Sequence, residues 1–182
     1  EFGTERVVTK SVGSVVYEID SEPALDLYKK YLGDQSNELP ISGLRFPLSI
    51  QATKQDRALT RTLMAVNEVE RSLTFAGDVP QGYLCKLMLT NLDSLIDSAG
   101  LAAEAAQPAN QSTVGLCLVV SCVGRRWVMG KLTEEELDIV HEKLGDATLV
   151  SGFYSYGELA PFSDLLQCQL HNQTMTLTTL YE

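Results

Sequence analysis

Residues 7–10 (VVTK) and 14–19 (SVVYEI), rich in valine and other strand formers, flank Val12-Gly13. Two such segments on either side of a glycine turn predict a β-hairpin. A helical pattern follows: Ala24, Leu27, Tyr28 and Tyr31 recur at helical spacing. Ser21 reads as an N-cap, Pro23 falls in the first turn and Gly33 lies just past the end, so a short amphipathic helix is expected. Residues 34–43, rich in Asn, Ser, Pro and Gly, predict a loop. Beyond them, 46–53, 59–66 and 72–75 have strand length and strand composition, and 83–89 alternates as another strand after Gly77, Pro80 and Gly82.

The second half opens with a helical stripe of Leu92, Leu95, Ile96, Ala99, Ala102, Ala103 and Ala106. Asn91 or Asp93 is its cap and Pro108 its stop, and the small residues suit close packing. Residues 107–113 predict a flexible loop. Residues 114–121 are almost continuously apolar, the pattern of a central strand buried on both faces, ended by Gly124-Arg125-Arg126. Thr133 and Glu136 match a capping box for a helix that turns Leu137, Val140, His141 and Leu144 inward and ends at Gly145. Strands at 148–154, 165–170 and 174–181 complete the sheet. The order ββα-ββββ-α-β-α-βββ predicts an α+β domain, a largely antiparallel β-sheet packed by three to four helices.

Composition narrows the function. A length of 182 residues suits one domain with a proper core, and 45% hydrophobic residues make it globular. A dispersed net charge of −10 speaks for solubility and against nucleic acid or an anionic membrane as partner. No apolar run reaches the length of a bilayer crossing. Cys85, Cys117, Cys122 and Cys168 fit no zinc or redox spacing, and their usage is that of free thiols in a reducing, cytoplasmic compartment. Residues 1–4 (EFGT) read as the scar of a cloning site, leaving 5–182 as a single domain excised from a longer protein.

Chemistry concentrates in three places. At Ser121-Cys122-Val123-Gly124-Arg125-Arg126, small residues and a following helix start suit an anion, with either arginine free to pair bidentately with a carboxylate or phosphate. The alternative is a strand end with two solvated arginines. In Gly152-Phe153-Tyr154-Ser155-Tyr156-Gly157-Glu158, alternation sets Tyr154 and Tyr156 on one face, Gly157 allows a close approach and Glu158 offers a carboxylate; a core strand with a turn explains the same residues. His171-Asn172-Gln173-Thr174 suits either a structural corner or a ligand contact. Nucleophilic catalysis needs Cys122 activated by His171, with Glu158 or Asp164 orienting the ring, in no recognisable spacing. Two histidines without paired spacing argue against a metal site, and His141 reads as packing.

These residues also carry a resemblance. Gly13 to Leu25 (GSVVYEIDSEPAL), Phe75 to Pro80 (FAGDVP), Ser121 to Arg126 (SCVGRR), Gly152 to Glu158 (GFYSYGE) and Leu170 to Leu177 (LHNQTMTL) resemble, in order and spacing, the C-terminal half of the FIST domain, an intracellular sensory domain; the chain departs from it at Ala160-Pro161-Phe162. The resemblance implies a binding domain rather than an enzyme, of bacterial signalling proteins or eukaryotic F-box proteins. Its partners are a small-molecule ligand, an amino acid by the usual proposal, the N-terminal FIST half and downstream signalling domains. No cofactor is expected, with haem on His171 as the alternative, and a protein–protein interaction module without a small ligand is the other class. On this reading an amino acid's carboxylate meets Arg125 and the backbone at Gly124, its amine meets Glu158, and Tyr154 and Tyr156 line the pocket. Cys122, Gly157, His171 and Asn172 complete the candidate set.

Overall fold

The expected hairpin forms, β1 (Phe2–Val12) turning at Gly13 into β2 (Val15–Ile19). Gly13 takes a φ of 56°, which a glycine reaches without strain. The computed structural model describes residues 2–108, 114–161 and 168–181. The chain divides into two compact units, Glu1–Thr90 and Asn91–Glu182.

In the first unit β3 (Glu22–Pro23) and α1 (Ala24–Leu32) follow the hairpin, then two 3-10 turns, Gly33–Glu38 and Ile41–Arg45, where a loop is expected. Ser21 is not the helix cap: its φ is 64°, its N–H donates to Thr9 Oγ1 at 2.8 Å, and α1 starts directly behind Pro23 without a side-chain cap. Strands β4 (Leu48–Gln51), β5 (Leu59–Arg61), β6 (Leu63–Asn67), β7 (Ser72–Phe75) and β8 (Leu84–Leu87) complete an antiparallel sheet ordered β5-β4-β8-β1-β2-β7-β6, with β3 beside β2. The single strand expected at 59–66 breaks at Thr62. β5 and β6 are joined by that one residue, yet they occupy opposite ends of the strand order. A one-residue link cannot cross a flat sheet of that width, so the sheet curls until its two edges meet. Register breaks in β1 and between β6 and β7 supply the bends.

The curled sheet and α1 share one core, with Val8, Val16, Leu25, Ile50, Leu63 and Leu73 almost wholly buried. Each such side chain contributes about 1.5–3 kcal/mol relative to exposure. Tyr28, buried from α1, keeps its hydroxyl satisfied by donating to Phe46 O at 2.6 Å.

The second unit starts with α2 (Leu92–Ala105), capped by Asn91, whose side chain accepts from the Ser94 N–H at 3.2 Å. β9 (Val114–Cys122) then runs into α3 (Val123–Met129), so Gly124-Arg125-Arg126, expected to end the strand, lie within the helix that follows it. After α4 (Glu135–Leu144) come β10 (Leu149–Ser155), β11 (Glu158–Pro161), β12 (Cys168–His171) and β13 (Met175–Tyr181). These strands do not extend the first sheet. β10 pairs parallel and β13 antiparallel with β9, while β11 and β12 form a separate ribbon. The fold is α+β and mostly antiparallel, as expected, with the β9–β10 pair as the parallel exception.

β9 is central, but along most of its length only one face is buried, with Cys122 at its end the buried residue of the other. Cys117, Val119 and Ser121 are buried, whereas Leu118 on the other face is 43% exposed. The α4 expectations also change. Thr133 Oγ1 donates to Gly130 O at 2.6 Å instead of capping, Glu136 is buried, and Leu137 and His141 are exposed. The flexible loop expected at 107–113 falls largely outside the described residues; of the strand expected at 165–170, residues 168–170 form β12 and 165–167 lie outside the described residues.

Two expected outcomes test this packing. At Gly152 a Cβ would collide with the Val119 backbone carbonyl. Gly152→Ala should therefore lower the unfolding free energy by about 2 kcal/mol or more in urea titrations, an overpacking cost against backbone that cannot yield. The Cys85 thiol is pushed by burial from 9.0 up to about 12. The unfolded chain then loses this proton first as pH rises. The contribution of Cys85 is intact below pH 9.0 and falls by about 1.4 kcal/mol per pH unit on the way to about 12. Cys85→Ala should flatten that part of the pH–stability curve.

Candidate functional site

The polar runs at Ser121–Arg126, Gly152–Glu158 and His171–Thr174 all belong to the second unit, and strand register brings them to one end of it. Tyr154 pairs with Ser121 and Ser155 with Cys122 along β10 and β9. Met175 pairs with Ser121 across β13, and the Cys122 N–H donates to Thr174 O at 3.0 Å. Glu158 pairs with His171 across β11 and β12.

At the centre lies an ion pair that sequence spacing does not reveal. Arg125 and Glu136 are 2% and 0% exposed, and Arg125 Nε donates to Glu136 Oε2 at 2.9 Å. The other guanidinium nitrogens donate to Ser98 Oγ at 3.1 Å and Leu95 O at 2.8 Å, both on α2. Glu136 Oε1 accepts from Ser121 Oγ at 3.2 Å and from the Tyr154 hydroxyl at 3.4 Å. Arg125 is thus neither a solvated arginine nor one facing open space. It ties α2, α3, α4, β9 and β10 together through Glu136, and a buried charge pair of this kind is tolerated because its hydrogen-bonding capacity is used. The signal that could have found Glu136 is weak: one more acidic residue in the acidic first turn of a helix.

Arg126, the neighbouring residue, points the other way. It is exposed, and its guanidinium lies 5.1 Å from the centre of the Tyr154 ring, within cation–π range. Burial, followed by the nearby Glu136 carboxylate, raises the Tyr154 phenol above its ordinary pKa and keeps it a hydrogen-bond donor. Around this pair opens a hollow of about 880 Å³ out to solvent, lined by Arg126, Lys131, Thr133, Glu134, Leu137 and Tyr154. A second hollow of about 550 Å³ shares Leu137 and Tyr154 with it and follows Val150 to Phe153 along β10.

The other expected residues build a corner. Glu158 is buried, and its two oxygens accept from Ser155 Oγ and Thr174 Oγ1, both at 2.6 Å. His171 Nε2 meets Ala160 O at 2.9 Å, and Asn172 Nδ2 donates to His171 O at 3.0 Å. Gly124 and Gly157 permit the close approaches expected of them, but toward the chain itself. A Cβ at Gly124 would lie 3.2 Å from Gln173 Cγ, and one at Gly157 would lie 3.1 Å from Leu170 Cδ1. Tyr156 stands past the end of β10, is 77% exposed and, unlike Tyr154, lines neither hollow. Asp164 lies outside the described residues. Cys122 is buried, and desolvation raises its thiol despite the backbone N–H groups of Gly124, Gln173 and Arg125 around the sulfur. A neutral buried thiol is a poor nucleophile. Among the described residues no group of three or more His, Cys, Asp or Glu is arranged to hold a metal ion.

Removing one member of the central pair leaves a buried charge alone. Arg125→Ala or Glu136→Ala should cost about 3–5 kcal/mol, while Arg125→Met with Glu136→Leu should cost far less; equal losses in the single and double variants, measured by chemical denaturation, would contradict this. In thiol labelling of the native protein, exposed Cys168 should react well before Cys122.

Comparison with known proteins places these features in a family. No curated protein and no solved structure matches the chain. No helix among the described residues is long and apolar enough to cross a membrane. The model of the FIST C domain matches residues 24–161, three quarters of the chain and all of the Arg125–Glu136–Tyr154 centre. The chain therefore belongs to the FIST C domain family, a domain associated with signal transduction.

Proposed function

We propose that this domain is the ligand-binding part of a sensory signal-transduction protein, and that its ligand is a small molecule of amino-acid type held in the hollow around Tyr154. The observation that carries the reading is the arrangement of opposite charges about one aromatic ring. Arg126 and Lys131 line the hollow as cations, Glu134 as an anion, and Tyr154 and Leu137 supply an apolar wall. A carboxylate suits the cations, an ammonium group suits Glu134, and an aliphatic or aromatic side chain suits the wall. The carboxylate contact first expected of Arg125 passes to Arg126, and the amine contact expected of Glu158 passes to Glu134, because Arg125 and Glu158 are held inside the fold. Arg125 and Glu136 act instead as positioning residues that hold the Tyr154 hydroxyl.

The domain works in this reading by binding, and no catalytic step is assigned to it. His171, which haem would require as its axial ligand, engages Ala160 through Nε2 within the β11–β12 ribbon. With Nε2 held by that contact, His171 supports a reading without haem.

Calorimetric titration with the free amino acids tests the proposal. One or a few should bind, and Arg126→Ala and Tyr154→Ala should each weaken binding by about tenfold or more, the cost of one charge-assisted or stacking contact. Failure of every amino acid to bind, or unchanged affinity in Arg126→Ala, would overturn it.

A further inference from the structure

We propose that the free edge of β10 is a self-pairing surface, on which a second copy of this chain adds its own β10 antiparallel about a two-fold axis. β10 has β9 as its sole partner among the described residues, so its outer backbone N–H and C=O groups form an open row. Such a row is satisfied by another extended backbone, and edge strands that stay single carry a charge, a proline or a bulge. β10 has none of these. Its seven residues pair with β9 without a register break, and residues 147–157 contain no charge in a chain of net charge −10. The opposite edge, β13, differs. Its register breaks at Leu180 and Tyr181, and Thr179 Oγ1 is tied to Ala106 O at 2.6 Å.

The strand also complements itself. With the axis at Gly152, Phe153 falls against Ser151 of the second copy, Tyr154 against its Val150 and Ser155 against its Leu149. A large side chain meets a smaller one at each of these steps. Phe153 and Leu149 are each 66% exposed in the single chain and lie on the same sheet face as exposed Leu118, so pairing makes one apolar stripe continuous across both copies. An isologous contact of this kind closes at two copies.

Sedimentation velocity over a concentration series, with amide hydrogen exchange, tests the proposal. The protein should form a dimer in which the amides of residues 149–155 exchange more slowly than in the dilute monomer. Ser151→Lys puts a charge on an exposed edge position and should give a monomer with unchanged circular dichroism, while Thr178→Lys on the other edge should leave the dimer intact. A monomer throughout the series, growth beyond the dimer, or a dimer that survives Ser151→Lys would each overturn the pairing. The exchange measurement on the unaltered protein decides even where a variant folds poorly.

Discussion

Burying a guanidinium and a carboxylate is the constraint around which the second unit is organised. Each charge loses its water, and the loss is offset only when partners surround it. Arg125 therefore draws in Ser98 and the Leu95 carbonyl from α2, and Glu136 draws in Ser121 from β9 and Tyr154 from β10. Elements distant in sequence are held by one polar network in which each member orients the next. The Tyr154 ring reaches the hollow only because its hydroxyl is anchored behind it, and Arg126 rests over that ring.

The same network explains why α4 departs from its sequence pattern. Thr133 and Glu136 have the spacing of a capping box, worth about a kilocalorie per mole at a helix start. A buried guanidinium without a counter-charge costs several times more. Glu136 therefore turns inward and Thr133 bonds to Gly130 instead. The local rule is outweighed by a larger non-local term. A comparable exchange occurs at the Glu158 corner, where a carboxylate suited to a ligand is instead surrounded by Ser155 and Thr174.

The first unit depends on closure rather than charge. Apart from β1 its strands are short, and their composition and the turn residues between them make most of them legible in the sequence. The curl of the sheet was not. It follows from the single-residue link at Thr62 together with the register breaks in β1, and neither feature has a clear sequence signature because a bulge depends on what the opposing strand does. Continuous apolarity in β9 was likewise an unreliable guide to burial. Helices cover the Cys117 and Val119 face, while Leu118 remains exposed on the other.

By itself the sequence determined the class of the fold, most of its strands, the helix opening at Asn91 or Asp93 and the family, because these rest on local periodicity, turn residues and ordered short motifs. It also located the polar runs that meet at one end of the second unit. Only the tertiary structure decided which of those residues face inward and which face solvent. Arg125 and Arg126 are adjacent and chemically alike, and no local rule separates them. One faces the carboxylate of Glu136 and becomes structure, and the other lies over Tyr154 at an open surface, because helical rotation between neighbouring residues points them to different surroundings.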